Sequence, residues 1–368
     1  MMSARFLTVV LERAFNMRDG FGREIDYMRI SVIDSCNLNC YYCNPCDNNE
    51  HCHALNILSV KEVLCIVRAA TRLGIKHFRL TGGEPLLHPQ LDEMVLQIKK
   101  IPGVSSVSLT TNAVLLVQHA KWLKEAGIDS INVSLDTIDA SEYERITKKP
   151  LLEEVKHGIN AAIECGIRVK INVVLTPQTD VVALTRYASK KGTDIRFIEM
   201  MPVGEGHTNG VEPYEKVIGA LLEVYGTPCH IDTENREEIN SGYNNADNGP
   251  AEYYSFHGLD IRVGLIQAIH GKFCDTCNRI RVTADGRLMP CLGSSVTMDL
   301  VPDSCEFTDD LEKDFVIVQA LKAAIKAKPG CHNFNDNAVT YTKTTETKAT
   351  ELKAAEVNAA RNMSRIGG

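Results

Sequence analysis

The chain has 368 residues, 44% hydrophobic and 24% charged, the balance of a folded globular protein rather than a disordered or fibrous one. Its length suits two or three domains, or one barrel-sized unit with extensions. The net charge of −7 argues against a protein that coats nucleic acid or an anionic membrane, so any anion site must be a local basic pocket.

No apolar run reaches the ~20 residues of a membrane-spanning helix. The best candidate for a targeting signal, Phe6-Leu7-Thr8-Val9-Val10-Leu11, is cut short by Glu12 and Arg13, so a cytoplasmic protein is expected. From residue 27 to 200, short β-branched runs alternate with longer amphipathic segments. Strands are predicted over 27–33, 77–80, 105–110, 130–135, 168–175 and 193–198, and helices over 60–73, 91–101, 114–126, 151–164 and 181–190. Gly74, Gly127, Gly166 and Gly192 suit helix ends. This rhythm implies a parallel sheet with right-handed crossovers. Six such units are two short of a closed eight-stranded barrel, so the expected fold is α/β, a partial (β/α)6 TIM-like barrel. Its chemistry should lie at the C-terminal ends of the strands. Ser35-Cys36, Thr81-Gly82-Gly83-Glu84-Pro85, Thr110-Thr111-Asn112, Asp136-Thr137 and Glu199-Met200-Met201 all fall there.

After about residue 205 the rhythm breaks. A polar stretch over 235–252 reads as a loop, and a β-rich segment over 261–292 carries a second group of cysteines. The Thr-, Lys- and Ala-rich tail reads as helical over 345–362 and ends in Gly367-Gly368. Two parts are expected, 1–204 and 205–368.

Thirteen cysteines in such a chain point to metal or redox chemistry rather than to a disulfide framework. Cys36-x3-Cys40-x2-Cys43 follows the first predicted strand, with Cys46 and Cys52 close behind. Three thiolates in a loop suit an iron–sulfur cluster with one iron left open. Zinc completed by a further ligand, or no metal at all, are the other readings. In the later segment Cys274-x2-Cys277 is followed by Asn278-Arg279-Ile280-Arg281 and then Cys291. A zinc ribbon with Cys305 or His270 as fourth ligand is one reading. Arg279 and Arg281 alternate along a strand and share a face, so a bound polyanion such as a triphosphate is the other; solvated surface arginines are the bland case.

The run Cys36-Asn37-Leu38-Asn39-Cys40-Tyr41-Tyr42-Cys43 resembles the signature of the radical S-adenosylmethionine enzymes. Thr81-Gly82-Gly83-Glu84-Pro85 resembles their glycine-rich motif for the methionine amino group. Together with Cys-Asn-Arg-Ile-Arg and the terminal Gly-Gly, they make residues 20–300 and the tail resemble the GTP 3′,8-cyclase family, which acts first in molybdenum cofactor biosynthesis. The chain departs from the family's usual residues at His77, at Leu87-His88-Pro89-Gln90 and at Ala113, where lysine, charged residues and glycine are common.

The resemblance implies two [4Fe-4S] clusters, with Cys36, Cys40 and Cys43 holding the first and Cys274, Cys277 and Cys291 the second, carried by the C-terminal extension. It implies that Tyr42, Gly82, Gly83, Glu84, Ser134 and Met201 bind S-adenosylmethionine. Arg29, Arg79, Thr110, Lys170, Arg196, Arg279, Ile280 and Arg281 would bind GTP, and Arg279, Arg281, Gly367 and Gly368 would be catalytic. The implied reaction takes a hydrogen from ribose C3′ and closes C3′ onto guanine C8. An electron donor such as flavodoxin or ferredoxin, coupling to cyclic pyranopterin monophosphate synthase, a monomer or homodimer, and no nucleic-acid or membrane partner are implied too. The competing expectation is another radical S-adenosylmethionine enzyme with an auxiliary-cluster extension, of the peptide-modifying maturase type; a zinc or iron–sulfur scaffold without catalysis is a third.

Overall fold

The computed structural model describes residues 17–43, 56–202, 211, 213–231, 249–294, 296–300, 310–332 and 334. Six strands and the helices between them follow in chain order. They are β1 (Tyr27–Ser31), α1 (Val60–Thr71), β2 (His77–Thr81), α2 (Leu91–Lys99), β3 (Ser106–Thr111), α3 (Leu116–Glu125) and β4 (Ser130–Ser134). After them come α4 (Ala140–Thr147), α5 (Leu152–Glu164), β5 (Arg168–Val174), α6 (Val181–Lys191) and β6 (Asp194–Ile198). Local chemistry sets the ends. Ser59 and Glu62 form a reciprocal cap at the start of α1, and the Asp180 side chain accepts the Ala183 amide at the start of α6. The four glycines expected to close helices all take positive φ.

The later chain adds α7 (Ala220–Tyr225), β7 (Cys229–Ile231), β8 (Glu252–Ser255), β9 (Val263–Ile266), β10 (Arg279–Val282), β11 (Arg287–Met289), β12 (Met298–Asp299) and α8 (Asp310–Lys326). All the strands join one sheet in the order β12-β11-β10-β1-β2-β3-β4-β5-β6-β9-β8-β7. β10 lies parallel to β1 and β9 parallel to β6, so the later segment supplies the two parallel strands that the six-unit rhythm lacks. The connection from β9 to β10 crosses from one side of the sheet to the other, and it carries Cys274 and Cys277. Among the described residues no helix is long and apolar enough to cross a membrane.

The two faces of the sheet divide by chemistry. Met28, Ile30, Phe78, Leu80, Val107, Leu109, Ile131, Val133, Ile171, Phe197 and Ile280 are buried in one apolar core with the helices. Each such side chain contributes about 1.5–3 kcal/mol of burial. The alternate positions are Tyr27, Arg29, Arg79, Thr110, Asn132, Lys170, Asn172, Arg196, Arg279 and Arg281, which period-two alternation places on the opposite, concave face. A barrel filled by side chains would be apolar there; this one is polar and cationic.

Candidate functional site: a cationic chamber between two thiol triplets

On the concave face lies a cavity, partly open to solvent and lined by Tyr27, Arg29, Arg79, Thr110, Asn132, Asn172, Arg196, Met201, Cys274, Cys277, Arg279, Arg281, Cys291 and Lys328, among others. Strand register fixes its ends. Tyr27 pairs with Arg279, so Cys277 lies at the N-terminal edge of the sheet, and Cys291, just beyond β11, returns to the same edge. Ser31 pairs with Thr81, and Cys36 lies beyond that C-terminal edge. The five residues of β1 span roughly 16 Å. The triplets therefore stand at opposite ends of one polar lumen, and the cavity runs from the later triplet to Met201, just past β6.

In the early triplet, burial pushes the Cys36 thiol up to about 12 and the Cys43 thiol up to about 11, and raises Cys40 as well. Asp136, Glu84 and the sister thiols add repulsion. A bound metal centre would supply the positive charge that lets these thiols act as thiolate ligands. Tyr42 donates from its hydroxyl to Asp136 at 2.5 Å, and Asp136 also accepts the Val174 amide at 2.7 Å, fastening the cysteine loop to β5. In the later triplet burial raises Cys274. Cys277 is also raised by burial, but the charges of Arg279 and Lys328 and hydrogen bonds from both bring it down to about 6. All six cysteines are free. Among the described residues no three acidic, His or Cys side chains converge on a single metal ion, as zinc would demand with sulfurs brought within ~4 Å of one another by ~2.3 Å bonds. His270, the candidate zinc ligand, pairs instead with buried Glu199. Three free thiols in each triplet are soft donors of the kind that hold iron–sulfur clusters.

The glycine-rich motif is shaped by backbone packing. A Cβ on Gly82 would lie 2.4 Å from the Ile33 carbonyl oxygen, and one on Gly83 would lie 2.2 Å from that of Ser35. The Gly83 and Glu84 amides donate to those same oxygens, each at 2.8 Å. The Glu84 carboxylate is held within the protein. It is fully buried, and its carboxylate accepts from Leu86 N at 3.0 Å, Thr111 Oγ1 at 2.7 Å and Asn112 N at 2.8 Å. Burial holds it up at about 7 despite those bonds. Ala113 follows in a left-handed conformation, φ 64°, which disfavours any side chain by about 1–2 kcal/mol. Gly158 on α5 allows the close approach, since a Cβ there would meet the Ala113 oxygen at 2.3 Å. His88 is buried and bonds the Leu58 carbonyl through Nε2 at 2.9 Å and the Gln90 amide through Nδ1 at 3.1 Å. His77 contacts Ser106 Oγ at 2.9 Å.

The cavity brings together Arg29, Arg79, Thr110, Arg196, Arg279, Arg281 and Met201. Arg79 donates to the Tyr27 hydroxyl and, at 3.3 Å, to the Leu109 carbonyl; Arg196 donates to the Tyr253 hydroxyl at 2.6 Å. Among the described residues Arg29 Nε and Arg281 Nη1 are buried without a hydrogen-bond partner. Burial and mutual repulsion hold Arg29 well below the usual arginine range and bring Arg281 down to about 10. Lys170 shares the concave face and is buried, but it does not line the cavity. Ile280, between Arg279 and Arg281, has its side chain packed in the apolar core. Ser134 is exposed at the end of β4. Asn132 and Asn172, which the motifs did not single out, line the cavity, and among the described residues their buried Oδ1 atoms have no partner. Their signal was available in the parity they share with Arg29 and Arg196. Cys46, Cys52, Cys305, Gly367, Gly368, the 6–11 run and the 345–362 helix lie outside the described residues.

Fold and site together define a radical S-adenosylmethionine barrel with a cluster-bearing extension. The Radical SAM superfamily model matches residues 30–185, and that of Molybdenum Cofactor Synthesis C matches 193–334. The chain is similar to SuiB of Streptococcus suis bound to S-adenosylmethionine, with a TM-score of 0.53 at 15% identity, covering 90% of this chain and 72% of that one. That likeness concerns the fold. In sequence it is 36% identical over 322 residues to the GTP 3′,8-cyclase of Clostridium perfringens (strain SM101 / Type A), covering 86% of this chain and 95% of that protein. It is 37% identical over 324 residues to the GTP 3′,8-cyclase of Pelotomaculum thermopropionicum, with 86% and 95% covered. The chain belongs to the GTP 3′,8-cyclase family.

Proposed function

We propose that this chain converts GTP into (8S)-3′,8-cyclo-7,8-dihydroguanosine 5′-triphosphate by radical S-adenosylmethionine chemistry, the first step of molybdenum cofactor biosynthesis. One observation carries the reading to substrate. Arg29 and Arg281 line the chamber, and among the described residues the buried Arg29 Nε and Arg281 Nη1 have no hydrogen-bond partner. A buried guanidinium is strongly unfavourable until an anion compensates it, and a triphosphate does so through charge-assisted bonds.

Arg29, Arg79, Arg196, Arg279 and Arg281 grip the triphosphate. Thr110, Lys170 and the Ile280 backbone support that row, and the vacant Asn132 and Asn172 oxygens accept from ribose hydroxyls or guanine N–H groups. Cys274, Cys277 and Cys291 hold one four-iron cluster at the nucleotide end, and Cys36, Cys40 and Cys43 the other. When bound, the cluster held by Cys36, Cys40 and Cys43 would supply the one-electron cleavage of S-adenosylmethionine that starts radical chemistry at ribose C3′. Tyr42, Gly82, Gly83, Ser134 and Met201 surround S-adenosylmethionine, and Glu84 fixes the shape of that loop from behind.

In this reading residues 1–204 form the radical-generating part and 205–368 the nucleotide-binding part, and Gly367-Gly368 reaches into the chamber. A flavodoxin- or ferredoxin-type donor supplies electrons, and cyclic pyranopterin monophosphate synthase takes up the product. The enzyme acts in the cytoplasm as a monomer or homodimer. The test is incubation of anaerobically reconstituted protein with GTP, S-adenosylmethionine and dithionite, followed by mass spectrometry. The cyclised nucleotide is expected together with 5′-deoxyadenosine; 5′-deoxyadenosine with unchanged GTP would overturn the assignment.

A further inference from the structure

One cation in the chamber does not belong with the arginine row. Lys328 follows α8, is 3% exposed and lines the same cavity. Its ammonium has three hydrogens, and all three have acceptors: the Arg279 carbonyl at 2.8 Å, the Pro290 carbonyl at 3.0 Å and the Cys277 sulfur at 3.4 Å. The contrast with Arg29 and Arg281, whose buried nitrogens are left open, separates its task from theirs. No donor remains for a phosphate.

The three acceptors come from both strand segments that carry the later cysteines. Cys277 and Arg279 flank the start of β10, and Pro290 immediately precedes Cys291. The two segments are bridged by one buried charge, which is held in turn by Pro329 and Gly330, whose carbonyls accept from Arg23 at 2.7 and 3.1 Å. Arg23 also donates to the Cys274 carbonyl at 2.6 Å. All three cysteines of the triplet are thus tied, directly or through a neighbouring carbonyl, to the segment just after α8.

We infer that Lys328 is a positioning residue for the second cluster, fixing the Cys277 and Cys291 segments relative to each other and biasing the cluster toward its reduced state. The bias follows from charge. An N–H donor and a full positive charge beside a ligating sulfur stabilise the redox state carrying the extra electron. The inference rests on the cluster assignment proposed above, and its test reads the two separately.

Lys328→Met, Lys328→Arg and the unaltered protein are reconstituted anaerobically and titrated under electron paramagnetic resonance, with the first cluster as internal reference. In Lys328→Met the ratio of reduced to oxidised second cluster at a fixed potential falls about tenfold, equivalent to ~59 mV for one electron. The first cluster is unchanged, and Lys328→Arg stays within threefold of the unaltered protein. An unshifted second cluster in loaded Lys328→Met overturns the inference. If that variant does not load, hydrogen exchange of the cluster-free proteins decides. Peptides covering 274–282 and 287–293 should exchange at least tenfold faster in Lys328→Met while those over β3–β5 do not change; equal exchange throughout overturns it. Unaltered protein that holds no redox-active second cluster would instead overturn the functional reading.

Discussion

Arg281→Met separates what the cationic chamber costs the fold from what it gives the ligand. Arg281 is 8% exposed, and burial, with Arg279 beside it, brings its guanidinium down to about 10. Relative to an ordinary arginine this amounts to about 3 kcal/mol of unfavourable charge. Because the group is still protonated at neutral pH in both folded and unfolded chains, the full penalty applies at every pH below about 10. Methionine keeps the unbranched stem and removes the charge. The nucleotide-free variant should therefore melt higher than the parent, by roughly 6 °C if 1 kcal/mol is worth ~2 °C in a chain of this size. GTP should reverse the order of benefit. Losing one charge-assisted contact weakens binding by ~1.5–3 kcal/mol, about 10- to 160-fold. Differential scanning fluorimetry under anaerobic conditions, with and without millimolar GTP, measures both effects. A variant that melts below the parent without nucleotide, yet shows the full GTP-induced rise, would refute the argument that this charge is held in readiness for an anion.

Two further outcomes follow from the early motif. Gly83→Ala places a Cβ 2.2 Å from the Ser35 oxygen, a backbone atom that moves only with the Cys36 loop. Iron should drop from about eight to about four per chain with the second cluster's spectrum retained, whereas Gly219→Ala, with open space around it, should keep all the iron; full loading of Gly83→Ala contradicts this. Glu84 is pushed up by burial from 4.5 to about 7, so between those pH values the folded chain holds a proton that the unfolded chain has released. Stability is then lost as pH rises through that window, by about 3 kcal/mol in all. Glu84→Gln should flatten the fall in melting temperature between pH 5 and 7, and an unchanged slope would place the effect elsewhere.

The strands were legible because their apolar positions alternate with polar ones, and the same alternation carried Arg29, Arg79, Lys170 and Arg196 to one face. Each predicted strand from residue 27 to 198 starts or ends within two residues of the observed one. Helix α4 was missed because its eight residues offer only Tyr143, Ile146 and Thr147 as buried contacts, too short a stripe to register as a period. The pairing of β10 with β1 and β9 with β6 was hidden for a different reason. It joins residues more than sixty positions apart, and no local pattern encodes such a partner. The same limit explains Glu84, whose motif suggested ligand contact while its hydrogen-bond partners Thr111 and Asn112 come from another strand end. It also explains Lys328, a single lysine after a helix until the fold brings it to Cys277.

The proposed reaction requires a nucleotide in the cavity that runs from the later triplet to Met201 to bring its ribose within reach of the S-adenosylmethionine end. GTP deuterated at C3′ tests this directly in a single turnover of reconstituted enzyme. Mass spectrometry should find one deuterium in the released 5′-deoxyadenosine, matched to the cyclised nucleotide formed. Released 5′-deoxyadenosine without the label, at any extent of turnover, would contradict a shared chamber.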